Sequence, residues 1–162
     1  MSQNPTTNRE ESQPNDKAAG VALGVLKVAR YVLNGGATRQ GNPLYEANNT
    51  YTLDGPTLDD GDLILQVVTD CVEAFSDADD QDNTTIQLRF NDGSTQTDIQ
   101  AATSIGGNPF NEVRQDLMVQ NLATEGNWLR LTLPTRVEVL IGNDEDIDSG
   151  LMYIYVLFVG GE

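Results

Sequence analysis

The chain has 162 residues, 38% of them apolar, which is enough for one domain with a core of ordinary size. Twenty-five acids stand against nine Lys and Arg, and with no His the formal charge is −16. This balance argues against nucleic acid and anionic membrane as partners, since both are bound by clustered cations. The lack of His excludes Ser-His-Asp and Cys-His nucleophilic sites, and the lone Cys71 excludes a disulfide framework or a zinc cluster.

Residues 1–17 hold no apolar side chain apart from Met1, and Pro5 and Pro14 interrupt them. Such a segment cannot offset the entropy of ordering itself, so it is expected to be a flexible polar arm ahead of a β-sandwich domain over 18–162. The first strand is expected within Val21–Leu33, where Leu23, Val25, Lys27, Ala29 and Tyr31 share one parity and Asn34-Gly35-Gly36 stops the run. A short strand at Thr50–Leu53 follows a polar loop. Leu63–Phe75 is the strongest strand, with Leu63, Leu65, Val67, Cys71 and Phe75 on one face. Ile64, Val68, Val72 and Ala74 fall on the other, so both faces should be covered.

Ile86, Leu88 and Phe90 alternate with Gln87 and Arg89, the pattern of a half-buried strand, and Asn91-Asp92-Gly93 supplies a hairpin turn. The return strand is expected over Thr95–Thr103, anchored by Ile99. A loop over Gly106–Pro109 follows, then Val113–Leu122, which fits a helical turn or a strand. Trp128–Leu133 points Leu129, Leu131 and Leu133 inward. Thr135–Ile141 points Val137, Val139 and Ile141 inward, with Arg136 and Glu138 outward. Leu151–Val159 is apolar at nearly every position, the mark of a central strand or of an edge covered by a neighbouring subunit. The sum is an all-β chain, an antiparallel sandwich or barrel.

The candidate chemistry is sparse. Asp144, Asp146 and Asp148 alternate before Gly150, a spacing that can turn carboxylates toward one hard cation, although the calcium-loop glycine and closing glutamate are out of place. A solvated hairpin is the competing reading. Acids also crowd 54–62 and 70–82, where hydrated carboxylates dressing the ends of a sandwich compete with loose binding of calcium, sodium or potassium. No other cofactor is expected. Cys71 reads as a buried inert thiol, and Asn48 and Asn83 match a glycosylation acceptor pattern. Paired carboxylates without aromatic walls give no hydrolase, and no enzyme is expected.

Leu58-Asp59-Asp60-Gly61-Asp62-Leu63-Ile64-Leu65, the run Val67–Phe75, Asn91-Asp92-Gly93-Ser94, and Ser149-Gly150-Leu151 opening a strand with Tyr153 and Tyr155 resemble the small jelly-roll decoration proteins of tailed-virus capsids. The resemblance spans Leu58 to Val159. It implies a jelly-roll-like sandwich of about eight strands, a place on the capsid surface of the virion, and two partners: the major capsid protein and further copies of the chain, as a trimer. The contacts would be the arm 1–17 and the outward positions of Leu151–Val159. With the charge balance, which molar salt would screen, it implies a virus of a halophilic archaeon. A head-tail connector or tail ring, and a calcium-dependent carbohydrate-binding sandwich, are the alternative functions.

Overall fold

The computed structural model describes residues 25–118, 128–143 and 145–160. The expected arm over 1–17 lies outside them, as do Asp144 and the far end of the Val113–Leu122 run.

Every regular element described is a strand: β1 (Leu26–Asn34), β2 (Thr38–Arg39), β3 (Asn42–Pro43), β4 (Thr50–Thr52), β5 (Leu63–Asp77), β6 (Thr85–Asn91), β7 (Gln96–Ser104), β8 (Arg114–Met118), β9 (Leu129–Arg130), β10 (Arg136–Gly142) and β11 (Ile147–Val159). A minor hairpin joins β2 to β3, and β9 adds a two-residue ladder to β5. The remaining eight strands form two sheets, in the orders β1-β11-β5-β8 and β4-β10-β6-β7.

Counted along the chain as first to eighth, these strands pair antiparallel as first with eighth, second with seventh, third with sixth and fourth with fifth. That is one long nested hairpin. Rolling it up brings β11 beside β5 and β10 beside β6, which closes the two sheets of a jelly roll.

The core lies between the sheets. One sheet contributes Tyr31, Leu33, Ile64, Val67, Cys71, Phe75, Met152, Ile154 and Val156; the other contributes Ile86, Leu88, Phe90, Ile99, Val137, Val139 and Ile141. Each such side chain removed from water contributes about 1.5–3 kcal/mol before the entropy of ordering is counted. Loop residues Tyr45, Leu53, Leu58, Ile105, Phe110 and Leu131 close the two ends.

Several strands follow the alternation closely. In β6 the buried positions are Thr84's successors Ile86, Leu88 and Phe90, and the turn after it is tied by Asp92, whose carboxylate accepts the amides of Ser94 and Thr95. Gly93 takes φ +87° in that turn. The undecided run after Gly107 is a strand from Arg114, paired to β5. β11 is a central strand, flanked by β1 and β5.

Other positions depart from a strict period of two. Ile64 is buried on the same side as Val67 rather than on the opposite face, because the ladder with β11 slips by one residue between Ile64 and Gln66. Further slips near Val72, Ala74 and Asp148 bend the same pair of strands. Here Gly150, at φ +115°, crosses Phe75 so closely that a Cβ would stand 2.4 Å from the ring. Leu133, expected inward, is 43% exposed, since the chain leaves the sheet after Arg130.

Candidate functional site: the outer face of the first sheet

Strand alternation that sends Tyr31, Ile154 and Val67 into the core sends their neighbours to the far side of the first sheet. The register sets these outward residues in rows across β1, β11 and β5. Val28, Leu157 and Gln66 form one row; Arg30, Tyr155 and Val68 the next; Val32, Tyr153 and Asp70 the third. Asn34, Leu151 and Glu73 end the series toward the acidic loops. Val28 is 59% exposed and Leu26, two residues before it, 58%. The Arg30 guanidinium lies 5.3 Å from the centre of the Tyr153 ring, and the Tyr153 and Tyr155 rings are 6.4 Å apart.

The face is therefore an aliphatic and aromatic stripe along β11 with one cation on its β1 flank and one anion, Asp70, on its β5 flank. Beside β1, the upper half of the strand edge is covered: Val32 donates its amide to the Asp54 carbonyl, and the Tyr31 hydroxyl donates to the Pro56 carbonyl.

The outer face of the second sheet is polar. Thr52, Glu138, Arg89 and Asp98 lie in one row, and Thr50, Leu140 and Gln87 in the next. Glu138 accepts from Arg89 Nε and, at 2.9 Å, from Asn91 Nδ2, while Gln87 donates to Asp98 at 2.7 Å. Glu138 faces outward as its parity requires, yet it is 6% exposed because Arg89 lies across it.

The three acidic regions separate to the two ends of the roll. The run from Asp77 to Asp82 and the loop before β11 meet at one end, where Ala78 donates its amide to the Asp146 carbonyl and Thr84 its hydroxyl to the Glu145 carbonyl. Asp59, Asp60 and Asp62 lie at the other end, ahead of Leu63, while Asp54 sits beside Val32 along the edge of β1. Of the candidate cation ligands, Asp146 Oδ1 accepts the Ala47 amide at 2.7 Å and Asp148 Oδ1 accepts the Ser76 hydroxyl at 2.6 Å. Among the described residues no three potential ligands gather in a metal-binding group. Asn48 and Asn83 are exposed.

Asp77 was grouped by composition with solvated acids, and the structure gives it another role. It is fully buried at the end of β5. Its Oδ1 accepts the amides of Gln81 and Asp82 and its Oδ2 those of Asn83 and Thr84, at 3.1 to 3.2 Å. Burial pushes the carboxyl pKa up, but the bonds from Thr84 and Asp82 outweigh it and hold the group below its ordinary value. The signal in the sequence was parity: Asp77 continues the inward series of Cys71 and Phe75. Cys71 is buried, and desolvation raises its thiol to about 11, so no thiolate is available at neutral pH.

No protein-family model matches the chain, and no curated protein matches it in sequence. Among solved structures, a chain of the cyanophage Pam1 capsid asymmetric unit is similar over 85% of this chain and 86% of its own length, at TM-score 0.55 and 17% identity. A chain of the acid-stable capsid of Helicobacter pylori bacteriophage KHP30 is similar over 83% of this chain and 87% of its own, at TM-score 0.50 and 14% identity. What is shared is the fold. Since the likeness covers most of each chain, the whole jelly roll is the common unit rather than a stray motif.

Proposed function

We propose that the chain is a structural virion protein, a decoration or cement subunit that oligomerises as a trimer on the major capsid protein and reinforces the head shell. The observation that carries this reading is the exposed apolar stripe on the first sheet of a jelly roll that is otherwise wrapped in acids. A stripe of that kind is kept where it meets protein. The likeness in fold to chains of two phage capsid structures supports the same reading. The polar arm 1–17 is the proposed tether to the shell.

Immunogold labelling of native particles tests it. Label on the head is expected. Label confined to the neck or tail would replace the reading with a connector or tail ring, and particles free of label would end it. In the same particles, deleting residues 1–17 is expected to lower occupancy of the head, and unchanged occupancy would discard the tether.

A further inference from the structure

We infer that copies of this chain meet through the outer face of the first sheet, arranged about a rotation axis parallel to β11, with the Arg30 flank of each copy set against the Asp70 flank of its neighbour. This rests on the reading of the chain as an assembling virion subunit and goes further by naming the surface, its geometry and its occupant.

The occupant is a second copy for a reason of charge. Two molecules of formal charge −16 repel over most of their surfaces. Both ends of the roll are crowded with carboxylates, and the outer face of the second sheet is polar, with Arg89 spent on Glu138 and with Arg136 and Asp98 beside them. On the first sheet the three rows from Val28 to Asp70 hold one positive and one negative group and are otherwise uncharged, so like copies approach there without net repulsion.

The sign of the flanks then selects the arrangement. Arg30 stands on β1 and Asp70 on β5, on opposite sides of β11 and one row apart. Strands are spaced about 4.8 Å and residues rise about 3.4 Å, which places the two backbones about 12 Å apart on one copy. That is too far for a bond within the chain, and Arg30 lies over Tyr153 instead. Rotation about an axis parallel to β11 brings the β1 flank of one copy to the β5 flank of the next while Tyr153, Tyr155 and Leu157 line the axis. The opposite charges meet under this rotation, whereas a shift along the strand away from Arg30 would set Asp70 against the uncharged Asn34.

The experiment is sedimentation equilibrium of the full-length chain at 0.15 M NaCl, with circular dichroism as the check on folding. The wild type is expected to associate. Leu157→Glu is expected to leave a folded monomer. Arg30→Glu sets like charges together at each contact and is expected to weaken association about tenfold, and Arg30→Glu combined with Asp70→Lys is expected to recover most of that loss. A wild-type monomer at every concentration tested, association undiminished in Leu157→Glu, or a swap that recovers nothing would each overturn the inference. Wild-type chain that decorates shells but does not self-associate would overturn this inference alone; a self-associating chain found on no particle would overturn the virion reading alone.

Discussion

The two outer faces of this roll are built on the same alternation, with opposite content. Across β1, β11 and β5 the outward rows carry Val28, Leu157, Tyr155, Val68, Val32 and Tyr153, while across β4, β10, β6 and β7 they carry Thr52, Glu138, Arg89, Gln87 and Asp98. The second face partners its polar groups within the sheet: Arg89 and Asn91 meet the buried Glu138, and Gln87 meets Asp98. The first leaves apolar area in water. A sheet that has one face in the core needs nothing apolar on the other for its own stability, so the difference between the faces concerns what the molecule meets.

The comparison can be broken most severely at Gly150. Gly150→Ala would place a methyl group against Phe75 at a backbone angle that L side chains avoid, and should cost about 3–5 kcal/mol in urea unfolding by disrupting the β5–β11 pair on which the apolar rows stand. A loss within experimental error would show that the strand bends there for another reason.

At the crossing from the first sheet to the second, Asp77→Asn should cost about 2 kcal/mol at pH 7, because an amide offers one acceptor oxygen where four N–H groups converge. The dependence on pH has a definite sign. The native carboxyl titrates below its ordinary value of about 4, so its contribution is complete above that value and fades as the pH falls through the lower native one. The gap between wild type and variant should therefore narrow between pH 5 and pH 2, and a gap that widens on acidification contradicts this role.

On the polar face, Glu138→Ala should cost about 1–2 kcal/mol, since Arg89 and Asn91 lose a shared acceptor. The matching substitution on the apolar face, Val28→Thr, exchanges a methyl for a hydroxyl and should change the stability of the isolated chain by less than about 0.5 kcal/mol. Equal effects at the two positions would erase the distinction between a face that is self-sufficient and one that awaits a neighbour.

Much of the architecture was legible because burial imposes periods that local residues must obey. The alternation of Ile86, Leu88 and Phe90, the Asn91-Asp92-Gly93 turn, the inward Val137, Val139 and Ile141, and the unbroken apolar run of β11 each report one strand and its surroundings. The inert Cys71 was legible for the same reason. Ile64 was misplaced because a one-residue slip in pairing reverses a face and leaves no trace in composition. The burial of Asp77 and of Glu138 was hidden among similar acids, since what distinguishes them is a set of donors brought from other parts of the chain.

By itself the sequence determined that this chain is all-β, two-layered and strongly acidic, because alternation, turn residues and charge are local or additive properties. Only the tertiary structure decided that β11 lies between β1 and β5, which of the acids are buried, and that Arg30, Tyr153, Tyr155 and Asp70 share one outward face. Those facts depend on pairing strands far apart in the chain, such as Ile147 with Asp77 and Leu26 with Val159, and the free energy that selects such pairings belongs to the closed core as a whole rather than to any segment of it.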